Sequence, residues 1–164
     1  MSVRSRIFAL PMPGFLRSVC IQRLTDCTAA SFGVRPPHIS SVDDYAAFTA
    51  EQAMLASSGS EERLFSSAHA LGVKLRARLG IRSHAEAMVV ARALYRMIGV
   101  DFKPDAAGGF IVSSCFFSSC YSPSICRLIS SLDAGLLCGL SGRKEMTFTQ
   151  RITEGAGVCR GVIR

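Results

Sequence analysis

The chain has 164 residues, of which 49% are hydrophobic and 19% charged, and its mean hydropathy is +0.30. These values exclude a disordered chain and are typical of one globular domain, with or without an extension. The formal net charge of +7 is spread along the chain, and 16 of the 19 basic residues are Arg. Because a zinc-finger spacing, an aromatic RNA-binding motif and a basic helix are all missing, the charge does not predict a nucleic-acid partner.

The first 40 residues are punctuated by prolines and predict an N-terminal extension, residues 1–40, that is partly irregular. A short helix at Leu16–Ala30 fits within it. Pro11, Pro13 and Arg17 interrupt any signal-peptide core, and no apolar run approaches the roughly 20 residues that span a bilayer. We therefore expect a cytoplasmic protein without a membrane partner.

Three helices follow, because apolar residues recur at helical spacing between capping signals. They are predicted at Ser41–Ser57, Glu61–Leu79 and Ser83–Ile98. Ser41 and Ser83 are suited to cap the first and third helices.

The pattern then changes to extended segments at Val100–Lys103 and Gly109–Phe117, joined by a turn. Ser122 and the proline after it begin a fourth helix that extends to about Leu140, closed by Gly139 and Gly142. Two more strands are predicted, at Glu145–Thr153 and Val158–Ile163. Segregated helices and strands predict a single α+β domain over residues 41–164, with N-terminal helices packed on an antiparallel sheet in the order ααα-ββ-α-ββ.

Seven cysteines are present, an odd number, and five of them lie in the last third of the chain. In a cytoplasmic protein such cysteines more often serve metal or thiol chemistry than disulfides. Cys126 and Asp133 are seven residues apart and share one face of the fourth helix, whereas Cys138 lies well around that helix. Cys115 ends one strand and Cys159 lies on the last, which can pair beside it.

A metal site for zinc or an iron–sulfur cluster is therefore predicted, with Cys115, Cys126, Cys159 and Asp133 as its ligands. The alternative is that the cysteines pack as small buried side chains, which the spacing alone favours because no pair has the tight C-x2-C separation.

Tyr95, Tyr121 and Arg151 are candidate ligand-binding residues, since a phenol and a guanidinium suit a carboxylate. The expected partner is then a small acidic molecule, and the alternative is that the three side chains only pack. A homodimer is compatible with this chain.

Several short motifs are distinctive: Cys115-Phe116-Phe117, Ser124-Ile125-Cys126, Leu132-Asp133, the segment 148–155, the closing Cys159 and the helical segment 91–100. Together they resemble the L-2-amino-thiazoline-4-carboxylic acid hydrolase family over about residues 43–163. The resemblance implies hydrolysis of a small cyclic amidine. Cys126 would then be the nucleophile or a metal ligand, and Asp133 the general base.

A more distant resemblance is to the 4-vinyl-reductase ligand-sensing domain, in which some members bind zinc through cysteines near Cys126 and Cys159. Two further ligand positions of those zinc sites are Phe148 and Arg151 in this sequence, which departs from the pattern. Three functions stay open: a metal or small-molecule binding module, a hydrolase, and an interaction domain with purely structural cysteines.

Overall fold

The structure, a computed structural model, describes residues 14–164 and confirms the predicted α+β class and element order. Five α-helices precede and interrupt a four-stranded antiparallel sheet. The helices are α1 Gly14–Phe32, α2 Val42–Met54, α3 Ser60–Leu79, α4 His84–Met97 and α5 Pro123–Ser141. The strands are β1 Val100–Pro104, β2 Gly109–Cys115, β3 Met146–Gln150 and β4 Cys159–Ile163, with 3-10 turns at Phe116–Ser119 and Ile152–Glu154.

The strands lie in the order β1-β2-β4-β3, so the last strand is inserted between the first hairpin and β3. Phe110 of β2 is paired with Gly161 of β4, which is paired in turn with Phe148 of β3. Val112 is paired with Cys159, which places the start of β4 beside the end of β2 as the sequence predicted. One face of the sheet packs on α4 and α5, and the buried core extends from that interface to residues of α1, α2 and α3.

Helix ends follow the capping residues read from the sequence. The side chains of Ser41, Ser83 and Ser122 each accept a hydrogen bond from a backbone N–H in the first turn of the helix that follows. Gly142 ends α5 with φ +73°, a left-handed conformation that glycine adopts without strain. Gly139, which was expected to help end this helix, lies inside it.

The described part of the N-terminal extension belongs to the core. The predicted short helix is present as α1, two residues longer at each end, and Ile21, Thr25 and Ala29 are fully buried against the rest of the domain. The remainder of the predicted extension, residues 1–13, lies outside the described residues.

The central helix, α5, is long and apolar enough to cross a membrane by length and composition. More than half of its most apolar window is nevertheless buried inside the domain, between α3 and the sheet. This burial is typical of the core helix of a soluble protein. Serine and glycine residues interrupt the apolar residues of α5, so the sequence contains no continuous apolar run of this length.

Candidate functional site

A half-buried carboxylate, Asp133, lies on the side of α5 that faces Tyr95 of α4. Tyr95 of α4 donates a hydrogen bond of 2.7 Å from Oη to Asp133 Oδ1. Burial raises the pKa of Asp133 to about 6, although the hydrogen bond and the charge of Arg151 both act to lower it. Asp133 therefore changes its charge close to neutral pH, unlike an ordinary aspartate.

A guanidinium, Arg151, reaches the same side of α5 from the loop that follows β3. Its side chain is only 16% exposed. Nη1 donates to the hydroxyl of Ser130 at 2.9 Å and to the sulfur of Cys126 at 3.9 Å. The charge of Arg151 also acts on Asp133, so the two side chains are neighbours in one polar cluster.

A row of aromatic rings connects the two ends of this cluster along the inner face of the sheet. Tyr95 stacks on Phe102, with ring centroids 5.0 Å apart, and Phe102 lies 5.5 Å from Phe110. Phe110 meets the edge of Phe148 at 5.2 Å, and the guanidinium carbon of Arg151 lies 4.0 Å from the centre of that ring. This cation–π contact fixes the guanidinium against the core.

The row crosses β4 at Gly161, which is paired with a phenylalanine on each side. A Cβ atom at this position would collide with the Phe110 ring. Gly161 is therefore what lets Phe110 and Phe148 touch across an intervening strand.

Three of the predicted metal ligands, Cys115, Cys126 and Cys159, come from three elements. Cys115 and Cys159 lie near enough to Asp133 for its charge to act on their thiols, and Cys126 lies near Cys159. All are free thiols. The Cys159 sulfur accepts the backbone N–H of Ile152 at 3.3 Å. Burial raises the pKa of Cys115 to about 12 and also raises that of Cys159, to which the charge of Cys126 adds. Cys115 and Cys159 are therefore protonated at neutral pH.

The fit to a metal ion is poor as these side chains stand. Among residues 14–164, no three His, Cys, Asp or Glu side chains are arranged so that they could hold a metal ion. The donor types would suit zinc, but the thiols would have to change rotamer and lose their protons. The metal site and the iron–sulfur cluster stay predictions.

Tyr121 and Cys138, also considered in the sequence, both belong to the buried core. Tyr121 is buried beside this cluster, but its hydroxyl is hydrogen-bonded to that of Thr49. Cys138 is fully buried and packs in the core. Tyr121 is thus already satisfied within the core, and Tyr95 and Arg151 are the ligand-binding candidates that border the carboxylate.

Sequence reasoning missed several residues that shape the site, namely Ser130, Arg127, Glu154 and the aromatic row. The spacing of Arg151 and Glu154 was a readable signal, since residues three apart in a turn are neighbours. Arg127 and Glu154 are 27 residues apart, and nothing in the sequence pairs them.

A separate open groove of about 1190 Å³ lies on another side of α5, between the end of α2 and the starts of α3 and α5. Its lining contains Glu61, Glu62 and six serines, but none of the predicted site residues. The two carboxylates would repel an acidic ligand, so this groove does not suit the partner expected from the sequence.

No protein-family model, curated protein or solved structure matches this chain. The hydrolase and ligand-sensing resemblances therefore rest on their short motifs alone.

Proposed function

We propose that the chain is a small-molecule-binding module whose site is the cluster around Arg151 and Asp133, and that its ligand is a small acidic molecule. One observation carries the proposal. Arg151 is a mostly buried guanidinium whose nearest carboxylate oxygen, on Glu154, lies 3.8 Å from Nε. Within residues 14–164 the Nη2 atom of Arg151 donates no hydrogen bond. The guanidinium therefore has N–H groups available to donate to the carboxylate of a ligand.

Asp133 and Tyr95 define the other side of the proposed site. A carboxyl with a pKa of about 6 takes up a proton more easily than an ordinary aspartate. An acidic ligand beside it would be tolerated best when Asp133 is neutral. Binding is therefore expected to be tighter at pH 5 than at pH 8.

The first test replaces Arg151 by Gln and measures binding of acetate, benzoate and inorganic phosphate by calorimetry. Charge-assisted hydrogen bonds contribute about 1.5–3 kcal/mol, so affinity for the anion that binds best should fall by about tenfold to a hundredfold. A matched control is Arg160→Gln, on the exposed face of β4. Equal losses in both variants would show general charge attraction and contradict a site at Arg151.

A hydrolase of a small cyclic amidine is the second candidate, and the pKa of Asp133 is the observation that favours it. A general base is most effective when its pKa is near the working pH. The wild-type chain would then release product from 2-amino-thiazoline-4-carboxylate, and Asp133→Asn would stop turnover. Stoichiometric binding without turnover would instead favour the binding module.

The metal prediction has its own test, which compares two cysteines of α5. If a metal is held by the predicted ligands, Cys126→Ser removes it and lowers the thermal midpoint, since metal binding is coupled to folding. Cys138→Ser leaves the metal content unchanged. Elemental analysis and an absorption spectrum of anaerobically purified protein report both outcomes. If the two variants behave alike and a chelator has no effect, the cysteines only pack.

A further inference from the structure

Glu154 lies between two arginines and shares one oxygen between them. Its Oε1 accepts a hydrogen bond of 2.7 Å from Nε of Arg127, and the same oxygen lies 3.8 Å from Nε of Arg151. The first distance is that of a strong charge-assisted bond, and the second is too long for a hydrogen bond. Glu154 is therefore committed to Arg127 and only near Arg151.

The two arginines differ greatly in exposure. The Arg127 side chain is 64% exposed, whereas that of Arg151 is 16% exposed. A carboxylate interacts more strongly with a charge that water screens less, so Arg151 is intrinsically the better partner for Glu154. A movement of about 1 Å would bring Oε1 from its 3.8 Å separation to hydrogen-bonding distance of Arg151.

Glu154 carries a carboxylate, as does the ligand of the proposed site. It can therefore compete with that ligand for the guanidinium of Arg151. Arg127 opposes that competition from the outer surface of α5. The helix also holds Arg151 in place, because the Ser130 hydroxyl donates to the Arg127 carbonyl and accepts from Arg151 Nη1. Arg127 therefore acts on both Glu154 and Arg151. Its side chain binds Glu154, and its backbone carbonyl holds the Ser130 hydroxyl that accepts from Arg151.

We infer that Arg127 is a positioning residue that draws Glu154 away from Arg151 and so keeps the buried guanidinium free for an acidic ligand. This inference rests on the proposed function. Arg127 sets the affinity of the site without touching the ligand, and Glu154 acts as an intramolecular inhibitor when Arg127 is lost.

The test is a double-mutant cycle in the full chain, with acetate, benzoate and inorganic phosphate as probes in calorimetry. An exposed ion pair is worth up to about 1 kcal/mol, so Arg127→Gln should weaken binding by about twofold to fivefold. Glu154→Gln should tighten binding, because the competitor is gone. In the Glu154→Gln background, Arg127→Gln should have no further effect, and Arg127→Lys alone should bind as the wild type does.

The outcomes separate this inference from the proposed function. If Arg127→Gln weakens binding by the same factor with and without Glu154, Arg127 acts through its charge alone and the inference is wrong. If the wild type binds and neither Arg127→Gln nor Glu154→Gln changes affinity, the inference is also wrong while the site stands. If the wild type binds none of the probes, or binds one and Arg151→Gln leaves its affinity unchanged, the proposed function itself fails.

Discussion

Gly135→Ala should lower the free energy of unfolding by about 3 kcal/mol, because it forces α3 and α5 apart. A methyl group at Gly135 would collide with the Phe65 carbonyl oxygen and lie 3.0 Å from the backbone nitrogen of His69. Backbone atoms cannot rotate away as a flexible side chain can, so the helices must shift. Alanine favours a helix over glycine by about 1 kcal/mol, which offsets only part of the cost.

Urea denaturation measures this change, and Gly157→Ala is the matched control. A Cβ at Gly157 would meet nothing within 4 Å. That substitution should leave the midpoint unchanged within about 0.5 kcal/mol. If Gly135→Ala were equally neutral, the close α3–α5 contact would not exist in solution.

Asp133 should make stability fall as pH rises from about 4 to above 6. Its folded pKa of about 6 exceeds the ordinary aspartate pKa of 3.8, so the folded protein binds more protons than the unfolded chain in that window. The stabilisation by Asp133 is complete below the pKa that this group has in the unfolded chain. It is lost as the pH rises through the pKa of the folded protein. Two pKa units correspond to about 3 kcal/mol.

Asp133→Asn isolates this contribution, since asparagine keeps an oxygen for the Tyr95 hydroxyl but does not titrate. The stability of the variant minus that of the wild type should grow by about 2–3 kcal/mol between pH 4 and pH 7, measured by urea denaturation at each pH. A difference that is constant with pH would mean that the carboxylate is solvated.

The fold was readable because local signals and the global arrangement agree. Serine caps began three helices where predicted, and the change from helical to alternating spacing at Val100 marked the first strand. β4 pairs with β2, as expected for a last strand that can lie beside the strand ending at Cys115. Helix α1 was underestimated because three of its five buried residues are threonine or serine, whose hydroxyls bond to the preceding turn and weaken the hydrophobic stripe.

The candidate site was only half readable. Asp133 was singled out because a carboxylate in an apolar helix needs a partner, and the structure supplies Tyr95. Other features depend on which atoms the tertiary fold brings together. Gly161 matters only because β4 lies between two phenylalanine-bearing strands, and the Arg127–Glu154 pair joins elements that are distant in sequence.

The most direct measurement of the central proposal is the side-chain NMR spectrum of the arginines during a titration with benzoate. We expect the Nε–Hε signal of Arg151 to shift and saturate, while that of Arg160, exposed on β4, stays in place. Saturation should require less benzoate at pH 5 than at pH 8, because Asp133 is neutral at the lower pH and binding is tighter. Equal shifts at Arg151 and Arg160, or a shift at Arg160 alone, would contradict a binding site at Arg151.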